Sequence, residues 1–172
     1  VVTTTTHKTL RGPRSAIIFV RKDNRKLDVA IDKAIIPGLQ GGPHQNQIAA
    51  VAVALKEVAA PAFKKYAAQT VKNAKVLGKE LKRLGWRLVS GGTDSHLLLV
   101  DTWGSAKISG KTASQKLEKA GIVVNMNPIP HDSRGPLAPT GIRLGTPAET
   151  SRGKKEKDMV KIARRIDKIL RQ

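Results

Sequence analysis

An α/β or α+β fold is what this sequence predicts, and two patterns carry the prediction. Two short β-branched or apolar runs (Val1–Thr4, Ala16–Val20) come first, then segments with helical periodicity, then further strand candidates such as His96–Asp101 alternating with helices. Hydrophobic residues make up 40% of the 172 residues, enough for a packed core, while aromatics are only 3%. The core therefore has to come from Ile, Val, Leu and Ala.

The elements follow in order. Val1 to Thr4 is β-branched throughout and reads as a strand. The polar stretch Thr5 to Arg14 contains Gly12-Pro13 and reads as a loop. Ala16 to Val20 is a continuous apolar run, short enough for a buried strand. Residues 26 to 35 suit a short helix, and Pro37 to Pro43 is a loop by composition. His44 to Ala60 reads as an Ala/Val-rich helix, apolar on most sides and so expected to be buried. Pro61 fits the first turn of a new helix. From there Phe63, Tyr66, Ala67, Val71, Ala74, Leu77, Leu81 and Leu84 recur mostly at spacings of three or four, and Gly85 ends the helix. Arg87–Ser90 and His96–Asp101 flank Gly91-Gly92-Thr93-Asp94, a hairpin-like signal. Ser109 can cap a helix to Ala120. Ile122–Val124 is a short strand candidate, residues 125 to 141 a long loop, and Gly141–Gly145 a short extended segment. A final helix, Lys154 to Leu170, turns Met159, Ile162, Ile166, Ile169 and Leu170 inward. The coarse break falls near residues 58 to 61.

Composition excludes several classes. With no cysteine there is no disulfide, Cys-ligated zinc, iron–sulfur cluster or thiol nucleophile. No run approaches a membrane span. Val1-Val2-Thr3 is not followed by a charged and then an apolar leader region, so a cytoplasmic location is expected. The formal charge of +19 invites a nucleic-acid reading. Against it, the basic residues decorate helical faces such as Lys72, Lys75, Lys79 and Lys82, with no interleaved aromatics for base stacking. A non-catalytic basic module contacting nucleic acid stays as an alternative only.

Three local signals point to chemistry. Lys8 lies in a loop directly after a strand, flanked by His7 and threonines. A neutral lysine amine forms an imine with an aldehyde, and two cations, Arg11 and Arg14, lie nearby in sequence. Gly41-Gly42 before the helix at His44 lets backbone N–H groups approach a phosphate. Arg143 sits inside the apolar Ile142-Arg143-Leu144, where it needs a carboxylate, from substrate or from the chain itself. The four histidines show no metal-ligand spacing, and neither a Gly-x-Ser-x-Gly elbow nor a Walker loop occurs.

Together these segments closely resemble one family. Val2-Thr3-Thr4-Thr5-Thr6-His7-Lys8-Thr9-Leu10-Arg11-Gly12-Pro13-Arg14 resembles the cofactor-lysine segment of serine hydroxymethyltransferases. The resemblance continues at Pro37–His44, Val53–Glu57, Val89–His96 and Gly141–Ala148, in the family's order and spacing, and matches its C-terminal portion. It implies the end of a fold type I pyridoxal-phosphate large domain (residues 1–58) followed by the small domain (59–172). It implies that Lys8 binds pyridoxal phosphate as an imine, with His7, Thr5 and Arg14 around the reacting centre. Gly41 and Gly42 are expected to offer N–H groups to the cofactor phosphate, in this family from the partner subunit of a homodimer. Arg143 is expected to hold the carboxylate of serine or glycine. The loop with Gly135, Pro136 and Leu137 is expected on the side of the co-substrate, tetrahydrofolate. The family often has Ser-Pro-Phe at Gly135-Pro136-Leu137, and commonly Lys at Met126. Its pyridine-pairing Asp, its stacked His and its catalytic Glu and Tyr lie upstream of this stretch. These 172 residues are therefore expected to be inactive by themselves. A folate-independent aldolase of β-hydroxy amino acids is the nearest alternative.

Overall fold

In a computed structural model that describes residues 1–21 and 26–172, the chain divides into two units, Val1–Lys64 and Lys65–Gln172. The first begins with β1 (Val2–Thr5) paired antiparallel to β2 (Ala16–Phe19), Val2 opposite Phe19 and Thr5 opposite Ala16. A buried strand was the expectation at Ala16–Val20. Instead Phe19 is 56% exposed, because a two-stranded ladder offers no second layer to cover it.

Helix α1 (Leu27–Lys33) runs into a wide turn, Ala34–Leu39, interrupted at Ile36, which is extended (φ −128°, ψ 119°). The turn takes in the start of the stretch expected to be loop. Helix α2 (Gln45–Ala59) forms where the Ala/Val-rich segment predicts one. It is not buried: Ala54 is its one buried residue, while Ile48, Val53 and Leu55 are exposed. An apolar surface stays open unless another layer is packed on it, and periodicity alone cannot report that layer.

Helix α3 (Pro61–Arg83) carries the predicted apolar stripe, with Ala74, Leu77 and Leu81 buried. In the second unit, β3 (Arg87–Leu88), β4 (Leu97–Asp101), β6 (Gly141–Gly145) and β5 (Asn125–Asn127) form a sheet in that order, every pairing antiparallel. The hairpin signal is confirmed by the β3–β4 pairing, Leu88 opposite Val100. Strand β3 stops short of the expected Ser90 because that residue turns left-handed (φ 59°, ψ 14°).

The strand expected at Ile122–Val124 lies three residues later, at Asn125–Asn127. Ile122 and Val124 are instead packed against the core, and Ile122 N donates to Leu117 O (2.8 Å), closing the end of α5 (Gly110–Lys119). Polar Asn125 and Asn127 can pair with β6 because β5 is an edge strand. Ser109 caps α5 by accepting from Thr112 N, as predicted.

The core lies on one face of this sheet. Leu88, Leu98, Val100, Ile142 and Leu144 meet Leu77 and Leu81 of α3, Ala113 and Leu117 of α5, and Met159, Ala163, Ile166 and Leu170 of α7 (Glu156–Arg171). Ile162 and Ile169 of α7 are only partly buried, and Ala163, absent from the expected inner face, lies in the core. Two short helices, α4 (Thr102–Ala106) and α6 (Pro147–Ser151), complete this unit. No helix among the described residues is long and apolar enough to cross a membrane.

Ion pairs join α3 to α7. Glu80 accepts from Arg83 and from Arg164 (2.9 Å), and these guanidiniums hold its carboxyl down at about 2. Glu156, bound by Lys72 and by Gln69 (3.1 Å), is likewise held at about 2. Both pKa values lie below the ordinary 4.5, so the folded state is favoured above that pH. That contribution is lost as pH falls from 4.5 through about 2. Urea midpoints for the chain are expected to drop across this window, and less steeply in Glu80→Gln.

Candidate active site

The loop between β1 and β2 is closed by its own backbone. Thr6, only 1% exposed, donates from Oγ1 to Pro13 O (2.7 Å), and its N–H donates to Ser15 O (3.0 Å). Gly12 N returns to Thr6 O (2.7 Å), and Arg11 N to Lys8 O (2.9 Å). A Cβ at Gly12 would stand 3.0 Å from Thr6 O and 3.1 Å from Ala54 Cβ, so glycine lets the loop lie on α2. Lys8 thus sits at the head of a pinned turn, its side chain exposed.

This loop edges a cleft of about 1240 Å³ inside the first unit. Thr5, His7, Arg14, Gly41 and Gly42 all line it, the two glycines from the same chain as His7, whereas the resemblance implied that they come from a partner subunit. Lys8 adjoins the cleft through His7 but is not among the residues lining it. Sequence reasoning missed Gln47 and two carboxylates, Asp28 and Asp32, which also line the cleft. Their helical context gave no signal beyond ordinary surface polarity.

The cleft's chemistry suits a phosphate-bearing group. Nothing lies within 4 Å of where a Cβ would be at Gly41 or Gly42, so their backbone is uncovered. Helix α2 starts just beyond them without a side-chain cap from His44, leaving a helix N-terminus open to an anion. Arg14 adds a fixed cation. His7 Nδ1 and Gln47 Oε1, both on cleft-lining residues, are buried with no hydrogen-bond partner among the described residues. Buried polar atoms are ordinarily paired, and a ligand in the cleft would pair them.

The other predicted residues belong to the second unit. Arg143 is not inside an apolar environment as its neighbours suggested. Strand alternation sends Ile142 and Leu144 into the core and Arg143 to the opposite, exposed side, across from Leu99 and Asn125. It has no carboxylate partner among the described residues, so the alternative of a structural ion pair within the chain is not realised there. Gly135, Pro136 and Leu137 are exposed, Leu137 at 80%. Their loop is organised by Asp132. Burial pushes this carboxyl up, but the Thr140 hydroxyl and N–H and the amides of Arg134 (2.8 Å) and Ile129 (3.2 Å) hold it down at about 2. Arg134 stacks 4.0 Å over Trp103 and donates to Ala138 O (2.9 Å). The Asp-x-Arg turn at 132–134 was a readable signal for this anchor.

Fold and cleft together define an α/β protein with a site suited to an anionic group, beside a loop lysine. A family model described as serine hydroxymethyltransferase matches residues 1–166. The chain belongs to the serine hydroxymethyltransferase family. It is 52% identical over 169 residues to a serine hydroxymethyltransferase of Sorangium cellulosum (strain So ce56), covering 98% of the chain and 39% of that relative. It is 51% identical over 170 residues to one of Desulfotalea psychrophila (strain LSv54 / DSM 12343), covering 99% of the chain and 39% of the relative. The chain thus spans about two-fifths of the length of these curated relatives.

Proposed function

We propose that these residues are the cofactor-lysine part of an enzyme that interconverts serine plus tetrahydrofolate with glycine plus methylenetetrahydrofolate. The observation that carries the reading is the Thr5–Arg14 run lying against a cleft whose other wall is Gly41-Gly42 and the start of α2. Pyridoxal phosphate, when bound, supplies an electron sink for the bond broken in serine.

The chain's own residues then have distinct tasks. Lys8 would hold the cofactor through Nζ, from a loop that Thr6 and Gly12 hold in place. Arg14 and the amides of Gly41 and Gly42 hold the phosphate. His7, with its orphaned Nδ1, and Thr5 offer polar atoms to the cofactor ring and its substituents. Arg143, which lacks a carboxylate partner among the described residues, takes the substrate carboxylate in a two-pronged grip and fixes its orientation. The loop shaped by Asp132 presents Gly135, Pro136 and Leu137 to the folate. We place residues 1–58 in a fold type I large domain and 59–172 in the small domain, and expect a homodimer.

Serine cleavage by an enzyme of full family length carrying these residues tests the reading. Turnover is expected to depend on tetrahydrofolate. Folate-independent cleavage at the same rate would mark an aldolase instead. In that enzyme Arg143→Lys is expected to lower kcat/KM for serine by roughly 100-fold, since an ammonium cannot reproduce the bidentate geometry. An unchanged KM with a full loss in kcat would contradict a carboxylate-binding role.

A further inference from the structure

A second cavity, of about 280 Å³, lies wholly within the second unit, between α3 and the turn after β3. None of the cofactor cleft's residues takes part in it. Lys75, Lys79 and Lys82 recur along α3 at spacings of four and three and share one helix face. Gly91, Gly92 and Thr93 line the cavity with them. Left-handed conformations at Ser90 (φ 59°) and Gly91 (φ 69°) fold the turn back. No atom lies within 4 Å of where a Cβ would be at Gly91 or Gly92, so the backbone there is uncovered. Gly78 also lines the cavity, where a Cβ would stand 3.1 Å from Leu98 Cδ2, and its lack of a side chain keeps α3 close to the sheet.

The charges are poorly balanced. Like charges at helical spacing repel, so three lysines along one face carry a cost that an anion would remove. Lys75 pairs with Asp94 at 3.1 Å, but that carboxylate is 98% exposed, and such pairs are weak and screened by salt. Lys79 and Lys82 have no carboxylate partner among the described residues. Glu80, between them in sequence, is taken by Arg83 and Arg164. Turn backbone and lysine ammoniums together make the kind of concavity that holds phosphate oxygens.

We infer that this cavity binds the phosphate group of a small soluble anion, held by Lys75, Lys79 and Lys82 on one side and the Gly91–Thr93 turn on the other. Its volume falls just below the ~300–1,000 Å³ of ordinary small-molecule sites. That suits a phosphate or pyrophosphate group and is small for a whole nucleotide.

Titrating the ¹⁵N-labelled 172-residue chain with inorganic pyrophosphate, at ionic strength held constant with chloride, tests this. Saturable shifts are expected at the Gly91, Gly92 and Thr93 amides. The Lys79→Ala/Lys82→Ala variant, in which exposed lysines give way to the best helix former, is expected to bind at least roughly tenfold more weakly, the loss of one charge-assisted hydrogen bond. Asp94→Asn, which frees Lys75, is expected to bind more tightly. Shifts that do not saturate, that chloride reproduces, or that neither variant alters would overturn the assignment.

Discussion

Replacing Lys8 by alanine in a full-length family enzyme is expected to lower serine turnover by on the order of 10³-fold or more, about 4 kcal/mol in the barrier. Folding stability should scarcely change. The loop is held by Thr6, through its bond to Pro13 O at 2.7 Å, and by Gly12 against α2; among the described residues Lys8 contributes only its backbone carbonyl to Arg11 N. In these 172 residues by themselves its side chain is exposed, and there a surface truncation of this kind stays within about 0.5 kcal/mol. Lys8→Arg separates charge from nucleophilicity. The guanidinium keeps the positive charge but stays protonated and forms no imine, so this variant should be as inactive as alanine. Turnover, together with the visible absorbance that pyridoxal phosphate gains on binding an amine, reads both variants. Activity within tenfold of the parent in either one would show that the cofactor is held elsewhere.

The sequence was legible where chemistry or packing is local. Ser109 caps α5 because an N-cap needs only a side-chain oxygen three residues before an amide. The stripe from Ala74 to Leu81 could be read because its burial partners lie within the same unit. The loop around Lys8 could be read as a loop because Gly12-Pro13 punctuates it locally. What could not be read depends on other parts of the chain. Helix α2 has the composition of a buried helix but leaves Ile48, Val53 and Leu55 exposed, since the covering layer is not a property of the segment. Ile122–Val124 has strand propensity, yet register with β6 assigns pairing to Asn125–Asn127, and Ile122 and Val124 pack on the core while Val123 stays exposed. Arg143 looked costly by its neighbours, and pleating alone removes the cost. Asp28 and Asp32 of α1 and Gln47 of α2 line one cleft through tertiary placement, which no local pattern reports.

The largest effect on stability is expected at Trp86. Its ring is 2% exposed in a core otherwise almost wholly aliphatic, between the end of α3 and α7. Nε1 donates to Asp167 Oδ1 (2.8 Å), and Arg171 both donates to that same oxygen (2.6 Å) and lies 5.4 Å over the ring. Two contributions can be separated. Burial dominates: Trp86→Ala is expected to cost about 3–5 kcal/mol, because small residues around the void cannot collapse to fill it. The hydrogen bond is the lesser part, since Asp167 keeps Arg171 when the indole is lost, so Trp86→Phe should cost only about 1–2 kcal/mol. A domain with about 5–15 kcal/mol in total would be brought close to unfolding by the alanine variant but not by phenylalanine. Urea unfolding followed by the fluorescence of Trp103, the remaining tryptophan in either variant, measures both losses. Equal losses for alanine and phenylalanine would mean that the bond to Asp167, and not the buried ring, holds α7 on the sheet.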